Sequence, residues 1–237
     1  MINTKNSKPS IILVHGAFAD ASGWQKIILA LSEKGYSVTA VQIPLKSLAD
    51  DIATTVRVLQ AEKGDVVLVG HSYGGAVITG AGAASGNVKA LVYVSAFAPD
   101  SGQALGPLIE SFPPSSLPAA VVPDSAGFLY IDRTKFRNVF AGDVSDDEAA
   151  VMAATQKPIA AAIFGEPSPS AAWKTIPSWC MVSKQDHAIN PDLERFMAKR
   201  MNAHVTEVDA SHVPFISKPV EVVRVIESAA ASIKAGV

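Results

Sequence analysis

The sequence predicts an α/β fold of three layers, in which helices cover both faces of a mostly parallel sheet of about six strands. Short runs rich in Val, Ile and Leu alternate with amphipathic helical patterns, and this alternation is typical of right-handed βαβ units. The chain has 237 residues, of which 49% are hydrophobic and 18% are charged. It can therefore bury a large core, and its length is that of one domain rather than two.

The predicted strands are nearly continuous apolar runs, as expected where both faces of a sheet are covered. They comprise residues 11–14, 37–41, 66–69, 90–94, 179–183 and 205–209. Helical patterns separate them. Residues 24–34 end at Gly35, and residues 48–59 repeat apolar side chains every three or four positions before Gly64. A last helix is predicted over residues 220–234.

The alternation stops after Pro99, and prolines cluster in the stretch that follows. Within it, residues 128–131 and 136–140 are predicted to form a hairpin, and Ser145 is predicted to open a helix over residues 148–156. An irregular stretch inside one sheet predicts an inserted cap, or lid, over a site. The predicted division is a core of residues 1–99 and 173–237 and a cap of residues 100–172.

Composition argues against several classes of protein. The formal net charge is −2, from 20 basic and 22 acidic residues without a basic block, so neither nucleic acid nor a membrane is expected as a partner. The start of the chain is polar and no apolar run approaches the roughly 20 residues that span a bilayer, which favours a cytoplasmic protein. The single cysteine, Cys180, argues against disulfides and cysteine-based zinc sites. We expect no metal, no cofactor, a small-molecule partner, and a monomer or homodimer.

One motif carries chemistry. The segment Gly70-His71-Ser72-Tyr73-Gly74 matches G-x-S-x-G, with a predicted strand before it and a helix-compatible stretch after it. The small residues permit a tight, strained turn at the carboxyl end of a strand, where open α/β sheets place their sites. The pattern predicts Ser72 as a nucleophile. The alternative is an ordinary glycine-rich turn between a strand and a helix.

A serine hydroxyl needs a base to accept its proton, and five histidines are available. His212 follows the last predicted strand and so lies at the same sheet edge as Ser72, which makes it the predicted base. The other four are less well placed. His71 adjoins Ser72, and His187 adjoins a candidate acid. His204 opens a strand at the opposite edge, and His15 lies at the junction of the first strand and its loop.

The base in turn needs a carboxylate to fix its tautomer and stabilise its charged form. Asp186 follows the strand at residues 179–183 and precedes His212, which keeps the order Ser, Asp, His. Asp100 also lies past a strand and is the rival candidate. Asp209, three residues before His212, is read as a charge at a strand end.

An acyl-transfer site must also bind an oxyanion with backbone N–H groups. Tyr73, directly after the predicted nucleophile, supplies one amide at the start of a helix. The second is expected from the loop after the first strand, where Ala17 is preferred over Phe18.

Apolar side chains near these positions are expected to line a substrate pocket. For the aromatic residues, ordinary core packing is an equal alternative. The predicted lining residues are Phe18, Phe97, Phe128, Phe140, Ile189 and Val213.

These residues together resemble the α/β-hydrolase superfamily over essentially the whole chain. Three segments resemble the branch of plant methylesterases and hydroxynitrile lyases: Leu13-Val14-His15-Gly16-Ala17, Gly70-His71-Ser72-Tyr73-Gly74-Gly75, and Ser211-His212-Val213-Pro214-Phe215-Ile216-Ser217-Lys218-Pro219.

The resemblance implies the α/β-hydrolase fold and a Ser-His-Asp esterase mechanism under a cap. Asp186-His187-Ala188-Ile189 resembles the acid loop of that branch, which supports Asp186. The lyases carry a lysine directly after the catalytic histidine, and this chain has Val213 there, which argues against cyanohydrin cleavage.

The predicted function is hydrolysis of small to medium uncharged carboxylic esters through an acyl-enzyme. One alternative is hydrolysis of lactones or C–C bonds with the same triad. The other is a ligand-binding receptor on a hydrolase scaffold, which a fold by itself does not exclude.

Overall fold

The computed structural model describes residues 8–233. Two parts of the sequence predictions lie outside this range. They are residues 1–7, which form most of the polar start of the chain, and Lys234, the last residue of the predicted final helix. The strands are β1 (Ser10–Val14), β2 (Val38–Val41), β3 (Val66–Ser72), β4 (Val88–Ala96), β5 (Val121–Pro123), β6 (Phe128–Ile131), β7 (Ile159–Ala160), β8 (Ser178–Ser183) and β9 (His204–Val208). The helices are α1 (Gln25–Glu33), α2 (Leu48–Ala61), α3 (Tyr73–Ala83), α4 (Leu105–Glu110), α5 (Phe136–Phe140), α6 (Asp146–Thr155), α7 (Pro191–Arg200), α8 (Pro214–Ser217) and α9 (Pro219–Ser232).

The main sheet has six strands in the order β2-β1-β3-β4-β8-β9, and all of its neighbouring pairs are parallel. Strand β3 is central and buried along its whole length, because helices cover both faces of the sheet. The predicted α/β fold with about six strands is confirmed. All these strands run the same way, so β3, β8 and β9 end at one edge, where the chain continues from Ser72, Ser183 and Val208.

Helix α2 begins where the sequence predicts it, because Ser47 accepts a hydrogen bond from the backbone N–H of Asp50 and so caps the first turn. Ser145 caps α6 in the same way, through the N–H of Glu148. Among the described residues, no helix is both long enough and apolar enough to cross a membrane.

We call residues 97–177, between β4 and β8, the insertion. It contains a second, antiparallel sheet in the order β5-β6-β7 and the helices α4, α5 and α6. Backbone hydrogen bonds tie it to the core at separate places. The N–H of Ala160 donates to Leu45 O at 2.9 Å, and the N–H of Ser116 donates to His187 O at 3.0 Å. The insertion therefore sits at the edge of the main sheet where β3 and β8 end.

The predicted hairpin within the insertion is wrong. Residues 128–131 form β6, but residues 136–140 form helix α5. Asp132 turns the chain after β6 by accepting a hydrogen bond from the N–H of Thr134 at 2.9 Å. Strand β6 pairs with β5 and β7 instead. Phe136, Val139 and Phe140 are the buried residues of α5, and their spacing is helical rather than alternating.

Candidate active site

Ser72 lies at the junction of β3 and α3 in a strained conformation. Its backbone has φ 53° and ψ −123°, and residues other than glycine rarely adopt this conformation. The glycines around it permit close packing: a Cβ added to Gly75 would lie 2.3 Å from the carbonyl oxygen of Phe97. This geometry turns the Ser72 side chain out of the strand and into a cavity that it lines.

His212 lies in the loop after β9 and contacts Asp186, in the loop after β8. Nδ1 of His212 is 2.6 Å from Oδ2 of Asp186, and the side chains are 1% and 0% exposed. The other oxygen of Asp186 accepts hydrogen bonds from the N–H groups of Ala188 at 2.7 Å and Ile189 at 2.8 Å. Since a carboxylate only accepts hydrogen bonds, Nδ1 carries a proton and the neutral ring has its lone pair on Nε2.

Ser72 and His212 line the same cavity. Nε2 of His212 is buried and has no hydrogen-bond partner within residues 8–233, so the structure brings the two side chains to one cavity without joining them by a hydrogen bond. The arrangement therefore leaves the lone pair of Nε2 available to accept a proton.

His71 supports His212 rather than replacing it. Its ring packs 4.6 Å from the His212 ring, between centroids, and its Nε2–H donates to the backbone oxygen of His212 at 2.8 Å. Burial lowers the pKa of His71 well below the ordinary value, so the ring stays neutral. Only its place before Ser72 singles out His71 in the sequence, and nothing there predicts this contact.

The rejected histidines and acids lie elsewhere. Burial lowers the pKa of His15 to about 4, and its Nε2 accepts a hydrogen bond from the N–H of Ile43. Asp100 pairs with Lys174, and Asp209 lies 2.7 Å from Lys184. Of the two remaining histidines, His187 forms a hydrogen bond with Asn138 O and His204 stacks on Trp179.

The residues predicted to supply the oxyanion amides, Tyr73 and Ala17, line the same cavity as Ser72. Tyr73 opens α3, and the first amides of a helix have no acceptor within it. The loop after β1 approaches closely, because a Cβ on Gly16 would lie 2.7 Å from the Cβ of Ser72. Ala17 and Phe18 both line the cavity, and the preference for the Ala17 amide stays a prediction.

The Tyr73 side chain is anchored by an acid that the sequence analysis did not single out. Its hydroxyl donates to Oδ2 of Asp51 at 2.7 Å, and Oδ1 of Asp51 accepts from the N–H of Leu45 at 2.8 Å. Asp51 is fully buried on α2, and burial raises the pKa values of both Asp51 and Tyr73. Nothing in the sequence marks Asp51, because an acid on an amphipathic helix predicts a surface charge. Only the structure shows that it shares the buried face of α2 with Thr55, one turn away.

The cavity at Ser72 has a volume of about 630 Å³ and lies between the core loops and the insertion. Most of its lining is apolar, and Glu110 is the one carboxylate among the described lining residues. Of the predicted lining residues, the cavity includes Phe18, Phe97, Phe140 and Ile189. The insertion adds apolar residues that the sequence analysis did not predict: Ile109, Phe112, Leu117, Val121, Leu129 and Phe164.

Two predicted lining residues do not line the cavity. On β6, Leu129 faces the cavity, and alternation along a strand turns its neighbour Phe128 to the other side. Val213 is fully buried in the core, where the chain enters α8. Its side chain therefore offers no surface to a ligand, although the residue directly follows His212.

Among the described residues, no group of three or more His, Cys, Asp and Glu side chains is arranged to hold a metal ion. The polar side chains that line the cavity are instead those of Ser72 and of His212, which is paired with the buried Asp186, together with Ser115 and Glu110; Ala17 and Tyr73, whose amides are the predicted oxyanion donors, line it as well. Chemically, this set can deliver a nucleophile, move a proton and stabilise an oxyanion.

The sequence model of the Alpha/beta hydrolase family matches residues 11–225, and the chain belongs to this family. It is 30% identical to the alpha/beta hydrolase nvfD of Aspergillus novofumigatus, over 94% of this chain and 97% of that protein. Methylesterase 9 of Arabidopsis thaliana is 28% identical, over 89% and 93% of the two chains. The crystal structure of a pyrethroid hydrolase from Sphingobium faniae JZ-2 has the same fold, with a TM-score of 0.79 and 22% identity over 94% of this chain and 98% of that one.

The predicted resemblance to the branch that holds the plant methylesterases is thereby confirmed. The chain is an α/β hydrolase with relatives named as esterases.

Proposed function

We propose that the protein is a carboxylic-ester hydrolase whose catalytic triad is Ser72, His212 and Asp186. The observation that carries the proposal is the buried pair of His212 and Asp186, 2.6 Å apart, beside a strained serine that lines the same cavity. A buried pair of this kind fixes the tautomer that a general base requires.

In the proposed reaction, Ser72 Oγ attacks the ester carbonyl carbon and its proton passes to Nε2 of His212. The amides of Tyr73 and Ala17 stabilise the negative charge that develops on the carbonyl oxygen. When the C–O bond to the alcohol breaks, His212 gives its proton to the departing oxygen, and an acyl-Ser72 ester remains. His212 then takes a proton from water, the resulting hydroxide attacks the acyl group, and Ser72 recovers its proton as the carboxylic acid leaves.

The proposed substrates are small to medium esters without a charge near the reacting group. The cavity of about 630 Å³ is lined mainly by apolar side chains, which favour apolar ligands with few polar groups. The likeness to a protein named methylesterase supports an ester as substrate. We propose further that residues 100–172 act as a cap that sets specificity, since much of the apolar lining comes from this segment.

Cyanohydrin cleavage is not part of the proposal. Cyanide departs as an anion, and a cation near the base stabilises it. Within the described part of the chain, no lysine or arginine lines the cavity. We therefore expect no Ser72-dependent release of cyanide from mandelonitrile, and such release at a rate above ester turnover would contradict the proposal.

The test combines turnover of short aryl esters with labelling by a serine-directed phosphonate. The wild-type protein should hydrolyse the esters and take up one equivalent of phosphonate, whereas Ser72→Ala should do neither. Ser101→Ala, at an exposed position outside the cavity, is the matched control and should behave as wild type. Ligand binding without turnover or labelling would indicate a receptor instead of an esterase.

A further inference from the structure

A second buried carboxyl lies behind the Asp186–His212 pair. Glu194 is on α7 and only 4% exposed, although an acid on an amphipathic helix ordinarily faces water. The buried residues of α7 around it are apolar, with Leu193 before it and Met197 one turn later. One of its oxygens, Oε1, is buried and has no hydrogen-bond partner among residues 8–233.

The Glu194 carboxyl lies within hydrogen-bonding range of the Asp186 carboxylate. Two groups of β8 also face the Glu194 carboxyl: the backbone N–H of Ser183 and the buried thiol of Cys180. Arg195, on the same helix, is a cation that acts on Glu194, but its guanidinium lies on the exposed side. Its partners there are Glu207 at 2.9 Å and Asp192 at 2.8 Å.

Two carboxyl groups in contact inside a protein do not both ionise, because the second negative charge is neither solvated nor neutralised. Asp186 has three N–H donors, from Ala188, Ile189 and His212, and these stabilise its charged form. Among residues 8–233, the backbone donor that faces Glu194 is the N–H of Ser183, and Glu194 has no comparable set of three. The proton of the pair therefore belongs on Glu194, in agreement with a pKa that burial and the neighbouring Asp186 raise well above the ordinary value.

We propose that Glu194 is a positioning residue whose protonated carboxyl donates a hydrogen bond to Asp186 and holds that carboxylate toward Nδ1 of His212. The inference rests on the proposed function, since it assigns Glu194 a role through the proposed triad. The proton on Glu194 also limits the Asp186–Glu194 pair to one negative charge. A second charge would stabilise the imidazolium form of His212 and raise the pH at which the base becomes available.

The test compares Glu194→Gln, whose amide still donates to Asp186, with Glu194→Met, which has a similar length and no donor. Glu194→Met should lower kcat about tenfold, because Asp186 loses a hydrogen bond to a charged group, and should change KM less than about twofold. Glu194→Gln should restore most of kcat. Glu207→Met, at an exposed carboxylate on β9, is the control and should match wild type.

Two further measurements report on the proton. The infrared spectrum of the wild type at neutral pH should contain a carbonyl stretch of a buried carboxylic acid that Glu194→Gln lacks. The acid limb of the kcat/KM profile should have the same midpoint in wild type and Glu194→Gln. An absent band, or a midpoint about half a pH unit lower in Glu194→Gln, would mean that Glu194 is ionised and would overturn the inference.

Asp186→Asn separates this inference from the proposed function. An Asp186→Asn variant with wild-type activity would contradict the triad itself. If Asp186→Asn is inactive while a folded Glu194→Met retains full kcat, only the role of Glu194 fails. The infrared band does not depend on activity and tests the protonation in either case.

Discussion

The parallel core and the insertion differ in whether their His, Asp and Glu side chains are buried. In the described structure, every buried His, Asp and Glu side chain belongs to the core, and the insertion buries none. The insertion instead contributes apolar residues of helices and short strands to the cavity. The comparison separates two tasks, because strand ends hold reactive groups in fixed positions whereas the insertion shapes the space above them. Core variants should therefore act mainly on kcat, and insertion variants on substrate preference.

The largest effect is expected at the triad. Ser72→Ala and His212→Ala should each lower kcat by at least roughly a thousandfold, and the double variant should be little worse, because the two side chains act as a unit. Steady-state kinetics on an aryl ester measures this. Asp100→Asn is the control, since Asp100 pairs with Lys174 outside the cavity. Additive losses, or an inactive Asp100 variant beside an active Asp186→Asn, would overturn the assignment.

The insertion should respond differently, and β6 offers a matched pair. Leu129 faces the cavity and Phe128 does not, although both are half-buried. Leu129→Ala should change relative kcat/KM values along a series of acyl chain lengths about tenfold, since a few methylene groups in an apolar pocket are worth that much. Phe128→Ala should leave the ranking unchanged. A similar change in both variants would mean that the insertion acts through stability instead of contact with substrate.

The same contrast explains what the sequence could predict. Core strands such as β3 are recognisable because their apolar runs and flanking glycines are local signals. In the insertion, short elements depend on distant partners. The side chain of Gln156, for example, bonds to the backbone of Ile131 at the end of β6. Such contacts leave no periodic pattern. The prediction at α5 fails for another reason: the helix has only five residues, too few for its helical spacing to exclude the predicted strand.

The candidate site divides in a similar way. A motif and the order of strand ends identify Ser72, Asp186 and His212, and the structure brings the last two into contact. The supporting acids, Asp51 and Glu194, could not be recognised. An acid on an amphipathic helix predicts a surface charge, and only the packing of α2 and α7 shows that these two are buried.

Glu110 is the one charged residue among the described residues that the insertion contributes to the cavity, and it predicts a smaller effect. Its carboxylate at the cavity should disfavour esters of acids that carry a second, ionised carboxyl group. Glu110→Gln should raise kcat/KM for such anionic esters by about threefold to fivefold at low ionic strength, because surface charges interact weakly and salt screens them. Uncharged esters of the same length are the control and should be unaffected. Equal gains for both series would contradict an electrostatic role.

The smallest effect is expected in the pH dependence of folding at Asp51. Its carboxyl is fully buried against Tyr73, and burial raises its pKa above the ordinary value. The folded state thus binds this proton more tightly than the unfolded chain, so the stability that the group contributes is greatest at low pH and declines as pH rises through the folded pKa. Asparagine has no such proton to lose. The stability of Asp51→Asn relative to wild type, from urea unfolding, should therefore increase between about pH 4 and pH 7. Asp50→Asn, at the exposed neighbouring position, should show no such trend, and a relative stability of Asp51→Asn that falls with pH would mean that Asp51 is stabilised as a carboxylate.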